Sequence, residues 1–181
     1  MTEQSPQQKY QVRFDWGVAG FSSLAPQADV VILVDVLPTD APLRLPDTTA
    51  VVMTAGLVNR TAVAEWVLAR QAEKGDRFSV AVIAAGASRA DDSIRFAVED
   101  LLAAGAVIDA LIGRGIDHCS PEAAAASAAF AGLAKAVRHL VSASESGQAL
   151  VALGREAEVR AAAQLDVSSE VTASPGFGPA S

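Results

Sequence analysis

The chain carries a single cysteine, Cys119, which excludes an internal disulfide and any multi-cysteine metal site. Its two histidines, His118 and His139, are too few for a three-histidine catalytic zinc. Aromatic residues make up only 5% of a chain that is 51% apolar, so the core must be built from Ala, Val, Leu and Ile. Basic residues are sparse and scattered, and the net charge of −7 disfavours nucleic-acid binding, which needs a basic surface. The longest apolar runs, such as Val30–Val34, fall far short of the roughly 20 residues that a membrane helix requires. Met1–Lys9 is polar and Gln-rich, unlike a signal peptide, so the expectation is a cytoplasmic protein without membrane partners. Glycine-rich phosphate loops of the Walker or dinucleotide type are absent, as is the Gly-x-Ser-x-Gly of an α/β-hydrolase.

What remains is the pattern of one α/β domain, for which 181 residues suffice. Tyr10, Val12, Phe14 and Trp16 alternate with polar residues, as in a strand buried on one face, and Gly17 and Gly20 then permit a turn. Asp29–Val36 is a nearly continuous β-branched run, expected of a strand covered on both faces. Pro38, Pro42 and Pro46 make Leu37–Thr48 a loop. Further strands are expected at Thr49–Thr54 and Phe78–Ala84. Between them runs a helix capped by Asn59, presenting Val63, Trp66 and Val67 inward and ending at Gly75. After the polar loop Ala85–Asp92, Ser93 is placed to cap a long helix over Ile94–Ile112, with Ala97, Leu101, Ala104, Ile108 and Leu111 on one side. Ser120-Pro121-Glu122 is a helix start for an Ala-rich helix running toward Leu140. Two short helices, Gly147–Leu153 and Arg155–Gln164, and a strand at Val167–Val171 complete the reading. Alternating strands and helices predict a three-layer fold, a mainly parallel sheet with helices on both faces.

Sites in such sheets form beyond the carboxyl ends of the strands, which directs attention to Asp35, Thr54–Asn59 and Ala85–Asp92. A strand-end carboxylate such as Asp35 can serve as a magnesium ligand or nucleophile in phosphoryl transfer, or simply pair with a loop amide. Glu99 and Asp100 either complement a helix dipole or, lying next to the apolar Leu101–Ala104, need a partner that a cation would supply. Neighbouring helical positions diverge by about 100°, so the two cannot face one ligand equally. Ser142–Gly147, with Ser144 and Gly147, reads as an anion site at a helix start or as a plain capped turn. Asp166 is similarly open. His118-Cys119 lacks an orienting third group and reads as loop; His139 reads as surface.

Several stretches, in order, resemble the ComB-like family of 2-phosphosulfolactate phosphatases. They are Val12–Gly17, Asp29–Leu37, Leu57–Ala64, Val80–Gly86, Arg95–Gly105, Ser142–Leu153 and Ala163–Ser168, the most specific being Glu-Asp-Leu-Leu-x-Ala-Gly after an Ala-Ala-Gly strand end. The resemblance implies a ComB-like domain over residues 10–171, between a disordered tail at 1–9 and a flexible tail at 172–181. It also implies Mg²⁺-dependent hydrolysis of a small phosphate ester. Asp35, Glu99 and Asp100 would hold the metal, with Asp35 and Glu99 catalytic and Asn59, Gly86, Ser144 and Gly147 binding a small phosphorylated acid. The chain departs from the family pattern at Pro38, where Arg is usual, and in the short Val36–Thr48 connection, where a long insertion is usual. Those departures remove phosphate donors and leave a second expectation, a catalytically impaired relative that binds a small molecule or assembles. A shortened sheet bares apolar surface, so a homo-oligomer is expected.

Overall fold

A computed structural model describes residues 7–39, 43–91 and 93–176; of the expected tails, residues 1–6 and 177–181 lie outside the described residues. The expected stretches form strands β1 (Val12–Trp16), β2 (Val30–Val34), β3 (Val51–Ala55) and β4 (Val80–Ala84). They lie in the order β1-β4-β2-β3, all parallel. Parallel strands need crossovers. Helix α1 (Gly17–Leu24) links β1 to β2, and α2 (Arg60–Lys74) links β3 back to β4. The two crossovers run in opposite directions across opposite faces of the sheet, so they share one hand.

The faces are covered unequally. Val30, Ile32 and Val34 of β2 point into the main core with Val80, Val82 and Ala84 of β4. The helices packed there are α2, α3 (Val98–Ile112), α4 (Pro121–Leu133), α5 (Val137–Ala143), α6 (Glu145–Ala152) and α7 (Glu156–Ala162). Val31, Ala81 and Ile83 point the other way, where α1 contributes Phe21 and Leu24. The architecture is thus the expected three-layer, mainly parallel α/β sheet, thick on one side and thin on the other. Helix α4 begins as expected, with the Ser120 hydroxyl accepting from the Ala123 N–H at 3.1 Å. Gly105 lets α3 and α4 touch: a Cβ there would lie 2.1 Å from the Ala126 carbonyl oxygen.

Four expectations change. The Gly17–Gly20 segment is helix α1 rather than a turn, because burying Phe21 and Leu24 outweighs the weak propensity of two glycines. Ser93 does not cap α3. Residues Ile94–Arg95 (β6) pair antiparallel with Ala87–Ser88 (β5), and the helix starts after Ala97. Arg13 is buried, so β1 is covered on both faces; its guanidinium donates to the Gln27 carbonyl at 2.8 Å. The last strand is Ala173–Ser174 (β7), antiparallel to β3, rather than Val167–Val171.

Both edges of the sheet are engaged. β7 lies on β3. At β1, the amides of Gln11 and Val12 donate to the His118 carbonyl, and Ser120 N–H donates to the Val12 carbonyl. Beyond them Gln7 completes the ladder with its side chain: Nε2 donates to the Phe14 carbonyl at 2.9 Å and Oε1 accepts from the Phe14 N–H at 3.1 Å.

Candidate functional site

The carboxyl ends of β1, β2 and β4 open onto a cavity of about 450 Å³. Asp35 follows β2, Gly17 follows β1, and Ala85 and Gly86 follow β4; all line this cavity, as do Glu99 and Asp100 from the first turn of α3. A smaller cavity of about 210 Å³ adjoins it, lined by Asp35, Thr54 and Asn59, so that Asp35 contributes to both.

Asp100 is 2% exposed and bridges two strand ends. Its Oδ1 accepts from the Val36 N–H at 2.8 Å, just past β2, and its Oδ2 accepts from the Gly86 N–H at 2.9 Å, just past β4. Burial pushes its carboxyl up to about 8, reinforced by the charges of Asp35 and Glu99 and opposed by those two amides. Without a nearby cation, Asp100 therefore holds a proton through much of the neutral range. Gly86 adopts φ of +68°, which L side chains rarely tolerate, and this turn aims its amide at the carboxyl.

Glu99 is equally buried, and among the described residues its Oε2 has no hydrogen-bond partner. The neighbouring carboxyls thus do different things, as their divergence along the helix requires. Asp100 is spent on backbone amides, while Glu99 keeps a buried oxygen without a hydrogen-bond partner among the described residues, a costly arrangement unless a cation or donor arrives. No group of three or more His, Cys, Asp or Glu side chains disposed to hold a metal occurs among the described residues.

The remaining residues separate into those at the site and those that frame it. Asn59 stands before α2 but does not cap it. Its Oδ1 accepts from the Gly56 N–H and its Nδ2 donates to the Glu170 carbonyl, both at 3.0 Å. The cap comes from Asp166, whose carboxylate accepts from the Thr61 N–H and from Arg60 Nε, both at 2.9 Å. Ser144 caps α6 by accepting from the Gly147 N–H at 3.0 Å. Neither Ser144 nor Gly147 lines the larger cavity, whereas Ser146 between them does. Ser146 is buried and accepts from Arg95 Nη2 at 2.9 Å. The sequence did not single out Ser146, Arg95 or the start of α1. The one available signal was Gly17 placed immediately after a strand. His118 packs on Tyr10. Burial, with the charge of Asp117, pushes the Cys119 thiol up to about 11, so this pair offers no thiolate nucleophile.

A family model described as 2-phosphosulpholactate phosphatase matches residues 39–174. The chain belongs to this family. The span matched to the phosphatase family includes Asn59, Gly86, Glu99, Asp100, Ser144 and Gly147, while Asp35 lies just before it. No curated protein matches the chain. Among the described residues no helix is long and apolar enough to cross a membrane.

Proposed function

We propose that this member of the 2-phosphosulpholactate phosphatase family is a Mg²⁺-dependent phosphatase acting on a small phosphorylated acid. The observation that carries the reading is the buried Oε2 of Glu99, without a hydrogen-bond partner among the described residues, in a side chain that lines the same cavity as Asp35. Carboxylates at a partly enclosed cavity suit Mg²⁺, which prefers oxygen donors and keeps several waters. Asp35 and Glu99 would hold the ion. Bound there, it would offset charge on the phosphoryl oxygens and make a bound water more acidic.

The chain's own residues then have distinct tasks. Glu99 supplies the oxygen that nothing else compensates. Asp35, at the common wall of the two cavities, holds charge at the strand end and faces the space from which a phosphoryl group is approached. Asp100 positions rather than binds. By accepting from Val36 and Gly86 it fixes both loops that wall the cavity, so Asp35, next to Val36, is held in place through it. The sheet and α3 exclude bulk water from Glu99, which strengthens every electrostatic interaction inside.

The test is turnover of a panel of small phosphate esters with and without Mg²⁺, alongside calorimetric Mg²⁺ titration. Mg²⁺-dependent release of phosphate is expected; no turnover together with no metal binding sinks the enzyme reading. A second reading has its own support. With both Asp100 oxygens committed to amides and Pro38 where the family usually has Arg, the site keeps fewer groups for transition-state charge than phosphoryl transfer commonly uses. A relative that binds a small acid without hydrolysing it fits that shortage, and ligand binding without turnover is the result that would select it.

A further inference from the structure

One wall of the cavity comes from neither the main sheet nor the helices packed on it. Ala87, Ser88, Ser93 and Ile94 line it, and all belong to the β5–β6 hairpin. Among the described residues its strands pair with each other and with no strand of the main sheet. Ser88–Asp91 and Ser93 are exposed, and the large apolar residue between Ala87 and Arg95 is Ile94. That side chain lies against two glycines at the ends of neighbouring strands. A Cβ on Gly17, after β1, would stand 2.3 Å from Ile94 Cδ1, and a Cβ on Gly86, after β4, would stand 2.7 Å from Ile94 Cγ2. The backbone crosses Gly86 closely too, since the Arg95 carbonyl oxygen would be 3.0 Å from the same Cβ. The seat is shallow, because Ile94 is 40% exposed. Beside it the exposed Phe96 rests on Trp16, with ring centroids 5.5 Å apart. The feet of the hairpin are tied by hydrogen bonds. Gly86 N–H donates to Asp100 at one foot, and Arg95 Nη2 donates to Ser146 Oγ at the other, both at 2.9 Å.

A short ladder with exposed backbone and one shallow apolar seat belongs to the least stable part of a fold, and here it covers a cavity. We propose that the β5–β6 hairpin is a lid on the cavity, closed in this structure, and that Ile94 is the residue that seats it. The feet stay bonded while Ile94 leaves Gly17 and Gly86, which widens the cavity at the ends of β1 and β4. Reseating encloses a ligand and keeps bulk water from it. Gly17 and Gly86 thus serve closure as well as chain direction, because a side chain on either would hold Ile94 off. The lid concerns access to the cavity and does not rest on the phosphatase reading.

Labelling of a thiol placed under the lid tests this. Ala85 is 7% exposed and lines the cavity at the end of β4. In the full chain carrying Ala85→Cys, with Cys119→Ser to leave one thiol, reaction with a soluble aromatic disulfide therefore reports opening. Adding Ile94→Ala is expected to speed labelling about tenfold, the effect of losing the buried part of an isoleucine. Leu68→Ala, similarly exposed but on α2, leaves the rate unchanged. Labelling of the parent as fast as that of the unfolded chain, no labelling at all, or a rate that Ile94→Ala does not raise overturns the lid. Amide hydrogen exchange of wild type and Ile94→Ala needs no introduced thiol. Faster exchange confined to the hairpin is expected; unchanged exchange, or a rise shared equally by β4 and α3, overturns the lid. Ester hydrolysis decides the phosphatase separately. A lid in a protein without turnover removes that reading alone, and turnover in a protein without a lid removes this one alone.

Discussion

Replacing Glu99 by Gln separates a carboxylate that serves a helix from one that serves a ligand. The substitution keeps shape and removes charge. Lost dipole complementarity in the first turn costs about 0.3–1 kcal/mol. Against it stands relief of a buried carboxyl oxygen, since among the described residues Oε2 has no hydrogen-bond partner and Glu99 is 2% exposed. A buried amide left unsatisfied still carries a penalty of about 1–3 kcal/mol, less than that of a charge. The opposing effects leave the metal-free variant within about 1 kcal/mol of wild type. The response to Mg²⁺ is where the two readings part. At 100 times its dissociation constant, an ion bound only by the folded chain adds about 2.7 kcal/mol, which for a chain of this size raises Tm by roughly 5–10 °C. Thermal melts with MgCl₂, matched for ionic strength with NaCl, should show that rise in wild type and not in Glu99→Gln. A variant that keeps the full Mg²⁺ shift would refute the assignment of Glu99 as a ligand and leave it a dipole-complementing residue.

Other expectations follow from the same geometry. Asp100 has a folded-state pKa of about 8 against 3.8 ordinarily, so between these values the folded chain keeps a proton that the unfolded chain has released. Its contribution is therefore fully present below about pH 4 and is lost as pH rises through about 8, with a slope of up to about 1.4 kcal/mol per pH unit. Urea midpoints without Mg²⁺ should fall between pH 5.5 and 8.5, and a rise contradicts the assignment. Gly105→Ala should cost about 1–3 kcal/mol or more by pushing α3 from α4, whereas Gly132→Ala in α4, with open space around it, should stabilise by up to about 1 kcal/mol; equal melting temperatures would show that the helix contact is slack. Apolar side chains such as Phe96, Leu153 and Val167 remain exposed, and we propose a homo-oligomer, to be checked by light scattering, where a monomer removes the proposal.

The four parallel strands were legible because runs such as Val30–Val34 and Val80–Ala84 are apolar throughout and rich in β-branched residues, the mark of strands covered on both faces, and because Val12, Phe14 and Trp16 alternate with polar residues. The site was half legible for the same reason. Asp35 and Gly86 mark strand ends, and Glu99-Asp100 interrupts an apolar helix, so each stands out in sequence and all four meet at one cavity. Helix α1 was not legible, since Gly-Val-Ala-Gly-Phe-Ser-Ser-Leu has turn composition and its helicity depends on Phe21 and Leu24 docking on the sheet. The start of α3 was misplaced because Ile94 continues the helical apolar spacing by coincidence while its backbone pairs with Ser88. The true cap of α2, Asp166, lies 105 residues from Thr61, beyond the reach of any local rule. Ser146 was passed over in favour of Ser144 and Gly147, because only tertiary packing decides which side of a short helix meets the pocket.

The Gln7 side chain on the edge of β1 has a consequence for assembly. An amide side chain presents one donor and one acceptor, like a peptide unit, and here it occupies the rung that a strand from another molecule would take. On the far side β7 covers Val52 and Met53 of β3, so both outer parallel strands are partly paired. At the β1 edge, copies of the chain would therefore meet through side chains rather than by extending the sheet there. One glutamine acts as a stopper. A carboxylate in its place cannot donate to the Phe14 carbonyl, so a change as small as Gln7→Glu would reopen that rung to a neighbour.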